Sequence, residues 1–295
     1  MALGGRFASW ASNVRRLVLG RPAWNARDEF AFYSVTDERV REHRERQVAM
    51  DREAHLGGLR LLRTMDLLDT SALAGKSVLD VGAGECVVSA AIAVAGGARE
   101  VWATDATPKQ IWAAAERRAA DPVLRFAIAD AQDLPFADAS FDLVVANLVL
   151  HHIHPLDRLV AEVSRVLRPG GRFVAHEPNP WLGALVHEAS SANEAPIAPR
   201  LITTALERAG LVDATAAFWW TRLDTGLLGP LSPAFRVRAR KQGEARSADR
   251  GPAELRRPLV ATRLAGLKLD PACSFADLAE QQIDAILKAQ NSSMS

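Results

Sequence analysis

Apolar residues recur every three or four positions from Leu3 through Phe7, Trp10, Val14, Leu17 and Val18, and Arg6, Ser9, Asn13 and Arg16 lie off that face. Gly20 and Pro22 end the pattern, which predicts one amphipathic helix. Three uses fit it: packing over the domain behind it, lying on an anionic membrane surface through residues 1–22, or serving as an acid-free, Arg-bearing targeting segment. Arg15 and Arg16 interrupt the apolar core that a secretory signal needs. From Asp37 to about Leu68 the stripe is broken (Val40, Val48, Leu56, Leu59, Leu62, Met65) and strongly charged elsewhere, which predicts one or two cap helices with a solvated face.

At Lys76 the period changes. Short buried-strand patterns at Val78–Val81, Glu100–Thr104, Arg125–Ala129, Leu143–Ala146, Arg172–His176 and Ala214–Trp220 alternate with helical patterns at Cys86–Ala95, Pro108–Ala119, Pro155–Leu167 and Pro199–Ala209. Such alternation argues for an α/β fold whose mostly parallel sheet is covered on both faces. Leu228 to Arg257 is rich in Gly, Pro, Ser and Arg and has little periodicity, so its centre, Lys241 to Pro252, reads as a loop or disordered linker. Phe275, Leu278, Ile283 and Ile286 predict a last helix, with Ser274 as its cap.

Composition narrows the class. Of 295 residues, 48% are hydrophobic and 24% charged, which excludes a chain disordered throughout. The two cysteines, Cys86 and Cys273, cannot build a disulfide scaffold or a Cys-rich zinc site. No apolar run reaches the length of a membrane span, and a cytoplasmic location is expected. The net charge of +1 conceals an uneven distribution. Met1 to Ala26 holds no acid, and Arg236 to Lys268 holds ten basic residues against three acids, with Phe235 as the one aromatic at its margin. That stretch is expected to be solvated or disordered rather than a nucleic-acid surface, with an anionic small substrate or lipid headgroup left open.

The chemistry concentrates where strands meet turns. Val78-Leu-Asp-Val-Gly-Ala-Gly-Glu85 is a strand entering a glycine turn before a helix, where backbone N–H groups can approach a ligand closely. Val101-Trp-Ala-Thr-Asp105 ends a second strand in an acid, 23 residues beyond Gly82, about where a carboxylate meets ribose hydroxyls. A dinucleotide site would want a third glycine at Val87 and would not place Asp80 facing two phosphates. Both points favour a cationic, ribose-bearing ligand.

With these motifs the chain resembles the class I S-adenosylmethionine (SAM)-dependent methyltransferases over roughly residues 76–178. Val78–Glu85 is similar to the family's first motif, and Ile128-Ala-Asp130-Ala131 to its adenine motif. Gln132–Phe136 with Ser140–Val144, Leu148–His152 and Leu167–Val174 are similar to the approach to the fourth strand, the loop after it and the turn into the fifth. The resemblance implies a Rossmann-like, seven-stranded, mostly parallel sheet with helices on both faces and an antiparallel last strand. It also implies S-adenosyl-L-methionine as cofactor, held by Asp80, Gly82, Ala83, Gly84, Asp105, Ala106, Asp130, Ala131 and Asn147. One departure is Cys86, where many relatives carry glycine; it reads as a small buried residue rather than a nucleophile.

This reading divides the chain into a helical N-terminal cap at 1–69, a SAM-binding domain at 70–222 and a C-terminal extension at 223–295. Methyl transfer from a sulfonium mainly needs an aligned nucleophile, and a hydroxyl acceptor gains from a base. His151 or His152 is the expected base, with Glu177 orienting it or binding a substrate hydroxyl, and one of the two histidines only hydrogen-bonding its loop. No metal is expected at His151, His152 and His154. Ala146-Asn147-Leu148-Val149 lacks the proline-aromatic arrangement of nucleic-acid amino-methyltransferases. The acceptor is therefore expected to be small (a sugar, polyketide, quinone-like ring or lipid), with O-methylation favoured. Trp181, Trp219, Trp220 and Tyr33 are candidates for its pocket wall. Two alternatives stay open: a SAM-binding enzyme that does not methylate, and a membrane-surface assembly or scaffold protein retaining the fold.

Overall fold

The computed structural model describes most of residues 73–180, with 197–218, 232–244, 251–257 and the separate positions Leu62, Met65 and Leu67. The expected N-terminal helix, Tyr33, Trp181, Trp219, Trp220 and the helix from Phe275 lie outside the described residues.

Seven strands form one sheet: β1 (Ser77–Val81), β2 (Glu100–Asp105), β3 (Leu124–Ile128), β4 (Phe141–Asn147), β5 (Leu167–Pro178), β6 (Leu211–Phe218) and β7 (Ala234–Lys241). Their spatial order is β3-β2-β1-β4-β5-β7-β6. The first five pair in parallel, and β7 runs antiparallel between β5 and β6. Among the described residues, the helices α1 (Val87–Gly96), α2 (Leu156–Val166) and α3 (Pro199–Arg208) connect or cover them.

Burial follows the pleat. On β4, Val144 and Ala146 enter one core with Leu79 and Val81 of β1 and with Leu159, Val160 and Val163 of α2. Leu143 and Val145 enter the opposite core with Val78, with Val88 and Ile92 of α1, and with Leu62 and Met65. Both faces of the sheet are thus covered, which is why its parallel strands read as short, nearly continuous apolar runs. Leu62 and Met65 are helical and fully buried, so the segment before the sheet contributes to its core.

The sheet takes a strand from beyond residue 222: β7 at Ala234–Lys241 inserts between β5 and β6. Its sequence alternates Phe235, Val237 and Ala239, all buried, with Arg236, Arg238 and Arg240. The arginines made it read as part of a solvated charge run; the period-2 alternation was the signal for a half-buried strand. Among the described residues, no helix is long and apolar enough to cross a membrane.

Candidate functional site

The strand order reverses between β1 and β4, and ligands of open α/β sheets bind at such a switch point, outside the carboxyl ends of the strands. Register aligns those ends: Val81 lies beside Thr104 of β2 and Ala146 of β4, and Asn147 lies beside His176 of β5. Two turns converge there. Gly82, at φ +65°, leaves β1 with its Cα face against the side chain of Val149, and a Cβ on Gly82 would sit 2.1 Å from Val149 Cγ2. The glycine turn and the loop after β4 therefore touch only because residue 82 lacks a side chain.

The β1 turn is organised by acids. Asp80 is buried and accepts a 2.5 Å hydrogen bond from Ser89 Oγ in the first turn of α1. The Ser89 backbone N–H also bonds it, so Asp80 supplies a cap for a helix whose own N-cap, Cys86, makes no side-chain capping bond. Burial pushes the Asp80 carboxyl up to about 7; the two bonds from Ser89 oppose this, and the nearby Asp105 charge adds to it. Asp105 ends β2 half-buried, with Oδ2 accepting from the Gly84 N–H at 2.9 Å. Ala83 N–H bonds the Thr104 carbonyl at 2.8 Å, and Ala106 follows, half-buried. Beyond β3, Asp130 closes a turn: Oδ1 accepts from Gln132 N–H at 2.9 Å, its carbonyl from Asp133 N–H at 3.0 Å, and Ala131 lies half-buried between.

The β4 loop is organised by Glu177, at the end of β5 and fully buried. Oε1 accepts from the N–H groups of Val149 at 2.9 Å and Leu150 at 2.8 Å. Oε2 meets His151 Nδ1 at 2.8 Å and accepts from its N–H at 3.3 Å. Burial by itself would raise this carboxyl; the facing His151 ring and the two loop amides outweigh it and hold the group below its ordinary value. Leu148, at φ +56°, enters the loop in the left-handed region and is tied by its N–H to the His176 carbonyl at 2.8 Å. Asn147 Oδ1 lies 3.0 Å from His176 Nδ1.

The expected site residues thus come together at one edge. His151 is buried against Glu177, whereas His152 is half-buried with its ring centroid 4.2 Å from that of His151. Glu177 does not suit the expected substrate hydroxyl, because both oxygens are committed to the loop. Cys86 is buried at φ +60°, which explains why glycine suits that position, and its thiol lies 3.6 Å from the Gly84 carbonyl. Two participants escaped the sequence reading. Ser89 was legible as the one polar residue of the apolar helix Val87–Gly96. Val149 carried no signal, since its role depends on a contact across two strands.

The basic flank is not simply solvated. Arg240 bonds Asp213, and Arg256 and Arg257 both bond Asp133. Described parts of this flank are thus neutralised by the domain's own acids.

Carboxylates at the ends of β1, β2 and the turn after β3 fit a cationic, ribose- and amine-bearing cofactor. The nearby Asp105 charge adds to the rise of the Asp80 carboxyl, and a cation placed here would favour its ionised form. Comparison with known proteins agrees. Residues 79–175 match the methyltransferase domain family. The chain is 33% identical over 147 residues to the demethylmenaquinone methyltransferase of Clavibacter sepedonicus, covering 50% of this chain and 59% of that protein. It is 36% identical over 105 residues to the ubiquinone/menaquinone biosynthesis C-methyltransferase of Bordetella avium, covering 35% and 41%. The chain therefore spans about half the length of these curated relatives. A chain of the solved Haloferax volcanii complex between the Trm112 methyltransferase activator and a methyltransferase shares the fold, with TM-score 0.53 and 19% identity over 73% of this chain and 98% of that one. Residues 79–175 therefore carry a methyltransferase domain of the class I SAM-dependent type, and S-adenosylmethionine is the cofactor of that domain.

Proposed function

We propose that the protein transfers a methyl group to a hydroxylated ring of quinol type, a small-molecule acceptor. The observation that carries this reading is the contact of Val149 with Gly82, which joins the cofactor-side glycine turn to the histidine loop at one switch point. The relatives named for quinone methylation support the ring acceptor, and one of them is named a C-methyltransferase, which turns the reading from oxygen toward carbon.

The bound cofactor would supply an electrophilic methyl on a sulfonium. Asp105 would accept from ribose hydroxyls, Asp130 from the adenine amino group with Ala131 beside it, and Asp80 would balance the cationic end beneath the Gly82–Gly84 turn. His152 is the proposed base. Removing the proton of a ring hydroxyl raises electron density at that oxygen and at the adjacent ring carbon, so one base serves either atom. Glu177 and His151 act as positioning residues that hold the loop so that His152 stays at the sheet edge.

The test is calorimetry with SAM followed by labelled-methyl transfer to a panel of quinols, sugars and lipids, with product NMR. Binding with transfer to a quinol ring carbon is expected. Absence of SAM binding overturns the reading, and binding without transfer to any of the panel favours a non-methylating SAM enzyme.

A further inference from the structure

Residues 251–257 lie outside the matched methyltransferase domain, yet they run along residues 133–137 of the crossover from β3 to β4. At the amino edge of the sheet, the Gly251 carbonyl accepts from Arg99 Nη1 and Arg168 Nη2, both at 2.8 Å. Ala253 N–H then bonds the buried Glu100, which also holds Ser77 Oγ and Trp102 Nε1. Next, the Glu254 carbonyl accepts from Ala137 N–H at 2.8 Å, Leu255 bridges antiparallel to Phe136, and Arg256 N–H bonds the Pro135 carbonyl at 2.9 Å. The segment ends at the opposite edge, where Arg256 and Arg257 both bond the Asp133 carboxylate. Arg257 Nη2 also bonds the Asp133 carbonyl at 2.7 Å, and Arg256 Nη2 the Leu134 carbonyl at 3.1 Å.

Asp133 is the last residue of the turn that Asp130 closes. Two guanidinium forks on its carboxylate and carbonyls fix that turn from outside, in a geometry that a point charge cannot reproduce. We propose that residues 251–257 form a strap that sets affinity for the adenosine half of the cofactor, with Arg256 and Arg257 acting as positioning residues on the Asp130–Leu134 turn. The inference rests on the reading of Asp130 and Ala131 as the adenine contacts. It also gives a use to Arg256 and Arg257 of the basic flank.

The experiment uses the full chain and two probes, S-adenosylhomocysteine and 5′-methylthioadenosine, the second lacking the amino-acid end. Kd is measured for wild type, Asp130→Asn, Asp133→Asn and the double variant Arg256→Ala/Arg257→Ala. Asp130→Asn should weaken both probes. The double variant should weaken both by the same factor, about tenfold. Asp133→Asn should match it, and combining the three changes should add no further loss. Hydrogen exchange of the 131–134 amides should rise while that of β1 and β4 stays unchanged, and Arg256→Lys/Arg257→Lys should recover only part of the affinity. If Asp130→Asn weakens binding but the strap variants leave Kd within about twofold, the strap is overturned and the adenine reading stands. If Asp130→Asn leaves Kd unchanged, the adenine reading fails and the strap with it. If the double alanine variant does not fold, Asp133→Asn and the lysine pair decide by the same criteria.

Discussion

Asp80 and Glu177 are both buried acids at the carboxyl edge of one sheet, on β1 and β5, yet their surroundings drive them in opposite directions. Among the described residues the Asp80 carboxylate is bonded by Ser89 alone, and it is pushed up to about 7. Glu177 collects three backbone N–H groups and a ring nitrogen and is held below its ordinary value. Burial is common to both; the number of donors differs, and the donors decide which form persists. The β4 loop is thus built on a committed anion. The β1 turn keeps an acid poised near neutrality, which suits a site that must accept a cation.

The largest effect should come from breaking the committed side. Glu177→Gln places an amide NH₂ among donors and strips His151 of its charged partner, and should cost about 3–5 kcal/mol in urea unfolding. Methyl transfer should fall with it. Survival of the fold with less than about 1 kcal/mol lost would show that the loop does not depend on this acid.

Gly82→Ala tests the junction between the two regions. The added Cβ meets Val149 and sits at a positive φ, so about 2–4 kcal/mol should be lost together with SAM binding. Gly82→Ala/Val149→Ala should recover part of both, because the smaller side chain gives room. No recovery would place the whole cost in backbone strain.

The two acids also predict opposite pH limbs. Asp80 holds its proton more tightly in the folded chain, so between its ordinary 3.8 and about 7 unfolding releases that proton and stability falls as pH rises. Glu177 holds its proton less tightly, so its contribution is present above its ordinary 4.5 and is lost as pH falls below it. Denaturation midpoints measured against pH should lose the first slope in Asp80→Asn and the second in Glu177→Gln. Asp80→Asn should also weaken SAM about tenfold at pH 8, a loss of one charge-assisted contact. Unchanged affinity would remove Asp80 from the cofactor site.

The histidines extend the comparison at lower cost to the fold. His152→Ala should cut turnover by about a hundredfold while leaving the unfolding midpoint near wild type. His151→Ala should lower the midpoint, because it leaves Glu177 without its ring partner. If the two variants behave alike, the division between base and anchor is wrong. The smallest effect is expected of Cys86→Gly, within about 1 kcal/mol either way, since relief at positive φ offsets lost burial and added chain entropy.

Much of this arrangement was legible before any coordinates. β1 to β5 were readable because buried strands leave compact apolar runs, and Asp105 and Asp130 because each follows such a run. β7 is less legible because Arg236, Arg238 and Arg240 give it the composition of a solvated segment, although Phe235, Val237 and Ala239 alternate with them. Glu177 was legible as a partner for a histidine, but the loop amides that it also holds were not. A carboxylate that binds a substrate and one that holds a loop look alike until the amides around it are in place.

The sequence by itself determined β1 to β6, α1 to α3 and the strand ends where the glycine turn and the acids lie, because these follow from local period and from glycine and acid placement. Only the tertiary structure decided which acid is committed and which is poised, which histidine is anchored, and how residues 251–257 come to hold Asp133. The reason is physical: ionisation and orientation of a buried group depend on donors brought from tens of residues away. In this chain those donors lie 26 to 28 positions from Glu177 and more than 120 from Asp133.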